Sequence, residues 1–102
     1  MATILLAGVD LSLRAQLETL LPGHHLTTTD NIDPPDVVIA DIGRIDPGEV
    51  SDAYPETPII GFSGHLDAAA QRVAFEAGFD RVVARSVMLE SVGELISELV
   101  SS

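Results

Sequence analysis

Short apolar runs alternate with helix-spaced stretches along the whole chain, and that alternation leaves few folds open. Ile4-Leu5-Leu6-Ala7 is the first run; Leu13, Leu17, Leu20 and Leu21 then follow helical spacing until Pro22-Gly23 stops it. "HHLTTT" (24–29) reads as a polar second strand of the kind an edge position tolerates. Val37 to Ala40 form a third strand, residues 48–54 a short helical turn, and "PIIGFS" (58–63) a fourth strand. Residues 67–77 predict an alanine-rich helix with Ala70, Val73, Ala74 and Ala77 on one face and Gly78 past its end. Arg81 to Ala84 is the fifth strand, and a helix over about 87–100 carries Val92, Leu95, Ile96 and Leu99 on one stripe. Strands alternating with helices build a parallel sheet covered by helices on both faces. Chemistry in such sheets gathers beyond the carboxyl ends of the strands. Here those ends are Gly8-Val9-Asp10, Asp41, Ser63-Gly64 and Arg85-Ser86.

One connection is too short for its task. Only "DNIDPP" (30–35) separates the second and third strands, where a crossover normally needs a dozen or more residues and a helix. Six to eight extended residues reach about 20–28 Å, enough for a bare strap across the sheet. One face of the sheet is therefore expected to lack a helix. The chain has 102 residues, the size of one domain spanning 1–102, and its 46% hydrophobic content argues for a folded core. No apolar run approaches the roughly 18 residues of a membrane span. The start "MATILLAGVD" lacks the basic region of a signal peptide, so the cytoplasm is the expected compartment. The absence of cysteine rules out disulfides and thiolate metal sites. Five arginines and no lysine stand against sixteen acids, a net charge of −11 that repels phosphate backbones and anionic lipid. Nucleic acid and membrane are therefore excluded as partners.

The pattern resembles the receiver domain of response regulators over nearly the whole chain. "TILLAGVDLSLRAQLETLL" resembles that family's first strand and helix, and "DVVIADIGRIDPG" the strand ending in its phospho-accepting aspartate, here Asp41. "TPIIGFSG" resembles the fourth strand with its hydroxyl residue, here Ser63. "AFEAGFDRVVARS" resembles the approach to an invariant Lys-Pro pair. The resemblance implies a flavodoxin-like, three-layer α/β fold with a five-stranded parallel sheet of order 2-1-3-4-5, the helix between strands 2 and 3 missing. It also implies a chemistry. Two acids after the first strand join the acceptor aspartate on Mg²⁺, a lysine neutralises the phosphoryl oxygens, and the hydroxyl answers the new phosphoryl group.

This sequence is depleted against that pattern. Gly8 and Val9 occupy the positions of the acid pair, and Asp10 follows one place late. Arg85 stands for the lysine, Ser86 for the proline, and Val82 for the aromatic used as a switch on the fifth strand. A site with one carboxylate should hold Mg²⁺ poorly, since that ion demands near-ideal octahedral geometry. Asp41 is expected instead to serve as a partner for Arg85 or for backbone donors. The leading expectation is a degenerate pseudo-receiver: no enzyme, no cofactor and no metal, acting as a phosphorylation-independent protein-protein module. Its partner or homodimer contact would use the helix-less face, where apolar surface over strands one and three should be exposed, or the last helix. The alternative is a working phospho-acceptor with Asp41 as acceptor, Ser63 and Arg85 beside it, and Asp10 recruited with Asp41 as a weak Mg²⁺ site. A domain cut from a longer regulator is compatible with the same residues.

Other constellations carry less. His24 and His25 are adjacent on a strand and point to opposite faces, so they cannot chelate together. His65 lies near Ser63 in the following loop, but "GFSGH" lacks the nucleophile elbow of a hydrolase. "GVDLSL" opens its helix with leucines where a flavin or nucleotide site needs a phosphate-cradling loop.

Overall fold

A computed structural model describes residues 2–28, 34–65 and 67–100. The elements run β1 (Thr3–Ala7), α1 (Leu11–Leu20), β2 (His25–Thr27), β3 (Val37–Asp41), α2 (Pro47–Ala53), β4 (Ile59–Ser63), α3 (Ala68–Ala77), β5 (Arg81–Ala84) and α4 (Arg85–Val100). The five strands form one parallel sheet in the order β2-β1-β3-β4-β5. Among the described residues no helix lies between β2 and β3, as the short strap requires.

Helices pack both faces because each strand alternates its side chains between them. On one face Ile4, Leu6, Val37, Ile39, Ile60 and Phe62 meet α1 through Leu13 and Leu17 and α4 through Met88, Val92 and Ile96. The four-residue spacing on both helices makes a continuous apolar stripe. On the other face Leu5, Val38, Ala40, Ile59 and Val82 meet Val50 of α2, Ala74 of α3 and Phe79. Only Ala74 of α3 is buried; Val73, about 100° round the helix from it, points to solvent, so the sequence-based face was drawn too wide.

Aspartates fix the ends of these elements. Asp10, Asp46 and Asp67 are the N-caps of α1, α2 and α3, accepting the backbone N–H of Leu13 (2.8 Å), Gly48 (3.0 Å) and Ala70 (2.7 Å). Asp36 and Asp80 secure the other end of the sheet by one shared device. Asp36 accepts the N–H of Thr3 at 2.8 Å and donates its own N–H to the Thr3 carbonyl; Asp80 does the same with Ile59. These bonds satisfy strand-end groups that no ladder partner reaches.

Two expectations are corrected. The last helix begins at Arg85, directly off β5, about two residues earlier than its apolar stripe suggested. The face short of one helix also fails to expose the expected strand residues: Leu5 is 6% exposed and Val38 and Ala40 are fully covered. The reason is that α2, with Ile42, Ile45 and Tyr54 around it, closes over β1 and β3. What remains is a shallow groove of about 340 Å³ between the end of β1 and α2, lined by Leu5, Ala7, Thr28, Val50 and Tyr54.

Candidate functional site

The carboxyl edge of the sheet brings together three of the four residues singled out from sequence. The register sets Ala7 opposite Ala40, Asp41 opposite Phe62, and Ser63 opposite Ala84. Gly8, Asp41, Ser63 and Arg85 therefore leave neighbouring strands at one edge. Asp41 and Ser63 converge on Gly43: a Cβ placed on that glycine would lie 3.3 Å from Asp41 Oδ1 and 3.5 Å from Ser63 Oγ.

Asp41 and Ser63 each already have an occupation. Asp41 Oδ1 accepts the Gly43 N–H at 2.9 Å, a local turn that Asp-x-Gly sequences favour. Ser63, 7% exposed, accepts the His65 N–H on its Oγ at 3.2 Å. Of the two partners foreseen for Asp41, the backbone donor is the one present. Arg85 is half-buried and forms no ion pair or side-chain hydrogen bond among the described residues, so the expected Arg85–Asp41 bridge is not made. The cation facing Asp10 is Arg44, which sequence reasoning did not single out. Its Nη1 lies 3.9 Å from Asp10 Oδ2, with both side chains substantially exposed, a loose pair worth little.

Asp10 sits apart from the role proposed for it. One oxygen caps α1 and the other faces Arg44. The sequence carried a signal for this: an aspartate immediately before helix-spaced leucines is an N-cap.

The seat of the missing acid pair is filled. Gly8 has φ +71, in the left-handed region, and a Cβ there would lie 2.9 Å from Ile45 Cγ2. An apolar methyl thus stands against the place from which an acidic side chain would start. Val9 turns towards the α1/α4 core. Nowhere among the described residues do three His, Asp or Glu side chains converge as a cation site. The Mg²⁺ that the resemblance implies does not fit the residues present: Asp10 caps a helix, Asp41 Oδ1 closes a turn, and the seat of the acid pair holds a glycine against Ile45 and a valine turned to the core.

No protein-family model matches the sequence, and no curated protein sequence does either. Solved structures match its shape. The BeF3-activated DrrB receiver domain aligns over 100% of this chain and 99% of its own, with TM-score 0.83 at 17% identity. A response regulator from Thermotoga maritima aligns over 98% of both chains with TM-score 0.81 at 15% identity. The chain has the fold of a response-regulator receiver domain. The same receiver fold also occurs inside longer proteins: this chain matches 28% of the length of NtrX from Brucella abortus, with TM-score 0.73 at 24% identity. At such identities the likeness establishes the fold, and the chemistry of this receiver-like edge rests on its own residues.

Position by position, that chemistry is thin. Asp41 and Ser63 lie on adjacent strands, while Arg85 begins α4 at the end of β5, two strands from Asp41. Catalysis of phosphoryl transfer is mostly positioning and charge neutralisation. Arg85 brings a planar fork where a compact ammonium is wanted. Val82, 4% exposed in the second core, has no ring to swing.

Proposed function

We propose that this chain is a receiver-fold signalling module that docks a protein partner without being phosphorylated and without catalysing a reaction, in the cytoplasm. One observation carries the reading: Gly8, in a left-handed conformation against Ile45, stands where the metal's first acid belongs. Restoring that acid requires the chain to change conformation and a core-side methyl to move. The commitment of Asp10 to its helix cap supports the same conclusion.

The test is direct. The protein is incubated with a small-molecule phosphodonor and Mg²⁺ and weighed by mass spectrometry. The expected result is no phosphoryl adduct, for the wild type and for Asp41→Ala alike. A stoichiometric adduct that vanishes in Asp41→Ala overturns the reading.

The second reading, a phospho-accepting response regulator, is favoured by one specific arrangement. Asp41 and Ser63 keep adjacent places at the carboxyl edge, with both oxygens about Gly43. The DrrB neighbour is a BeF3-activated receiver domain. In this chain such chemistry would have to draw Asp10 Oδ2 away from Arg44 to hold the metal with Asp41.

A further inference from the structure

A groove of about 710 Å³ runs between the carboxyl end of α1 and the second half of α4, away from the strand edge that carries Asp41. Leu20 and Leu21 form one wall, Gly93 and Ser97 belong to the helix opposite, and Glu94 and Glu98 stand at its rim. Leu20 is 46% exposed there, a large apolar side chain left uncovered.

Gly93 is the informative residue. It lies inside a sixteen-residue helix with ordinary helical φ, and a Cβ built on it would meet nothing within 4 Å. The fold therefore has no need of glycine at this position, although glycine is the poorest helix former short of proline. A missing side chain here leaves room for something to approach the helix closely from outside.

Charge decides what that something is. Glu90, Glu94 and Glu98 follow one another at four-residue spacing on exposed positions of α4, a spacing at which like charges repel. Arg81 meets Glu98 at 3.4 Å, and it is the one arginine paired with this row among the described residues. A second copy of the chain is a poor occupant. It would set two acidic rows face to face, and none of its helices carries more than one arginine.

We propose that this groove docks a basic amphipathic helix of a partner protein, its small and apolar face against Leu20 and Gly93 and its arginines or lysines against Glu90, Glu94 and Glu98. The proposal rests on the reading that the chain acts by docking a protein; it is independent of whether Asp41 is phosphorylated.

The probe is a fluorescent synthetic peptide with alanine and leucine on one helical face and arginine on the other, read by anisotropy at physiological salt beside a scrambled isomer of equal charge. Gly93→Leu and the pair Glu90→Gln/Glu94→Gln should each weaken binding by about tenfold or more, which corresponds to 1.4 kcal/mol. Glu49→Gln/Asp52→Asn on α2 removes equal charge from the opposite face and should change binding less than about twofold. The proposal is overturned if the wild type does not bind the probe, if the scrambled peptide binds as tightly, or if the α2 pair weakens binding as much as the groove variants. A phosphoryl adduct on Asp41 would defeat the functional reading and leave these binding results untouched.

Discussion

Asp10 shows how one carboxylate is claimed by structure before chemistry can use it. Its Oδ1 bonds the Leu13 N–H at the start of α1, so Asp10→Ala should destabilise the fold by about 1 kcal/mol in urea denaturation. Asp10→Asn keeps the capping oxygen and should fall within a few tenths of the wild type. A metal ligand would behave differently, with millimolar Mg²⁺ raising the midpoint of the wild type and of neither variant. The expectation is that Mg²⁺ moves none of the three. Gly8 carries a second residue-scale prediction. Gly8→Asp puts a side chain at φ +71 and against Ile45 Cγ2, which should cost about 1–2 kcal/mol, a cost softened because aspartate tolerates the left-handed region better than most residues. In a double-mutant cycle, Ile45→Ala should recover part of that loss, since the two changes touch the same space. Strict additivity would mean that Ile45 does not fill the seat. None of this was legible in the sequence beyond the substitution itself. That Gly8 replaces an acid can be read from the chain; that its backbone is left-handed and its space taken cannot, because Ile45 lies thirty-seven positions away and reaches Gly8 only through the fold.

Elements were largely legible because their signals are local. Leucines at four-residue spacing, an aspartate or proline at a helix start and a glycine at its end act within one turn, and α1, α2 and α3 begin and end within a residue or two of those marks. The start of α4 was not legible, because no capping residue separates it from β5 and the helix simply continues the strand. The uncovered strand face was misjudged for a related reason. A deleted helix predicts exposure only if its neighbours stay in place, and here α2 and the loop before it cover Leu5 and Val38. The gently amphipathic α4 also permits a prediction about stability alone. Gly93→Ala adds a methyl that meets nothing within 4 Å, and it should stabilise the protein by about 1 kcal/mol. For a domain of this size that is a rise in Tm of roughly 4–8 °C. An unchanged or lower Tm would mean that α4 is frayed or bent at Gly93.

Over the whole molecule the unbalanced charge becomes a property of the fold. Six of the seven aspartates among the described residues accept a backbone N–H, so much of the acidity belongs to caps, turns and strand ends. Those carboxylates cannot be exchanged for lysine without losing the bonds, whatever partner the surface meets. Five arginines offset them poorly. Three ion pairs form among the described residues, at 3.1, 3.4 and 3.9 Å, and apart from the partly covered Arg14 their side chains are well exposed to water. Such pairs contribute about 0–1 kcal/mol each and lose that under salt. Self-repulsion at −11 works in the opposite direction, since screening relieves it. The two effects differ in sign, and the surplus of acids means that repulsion dominates. Adding sodium chloride from the low millimolar range to half-molar should therefore raise Tm, by roughly 4–8 °C for each kcal/mol of repulsion removed. Chloride is the right anion for the measurement, because sulfate would strengthen apolar burial independently of charge. A Tm that falls with sodium chloride would show that the ion pairs outweigh the repulsion.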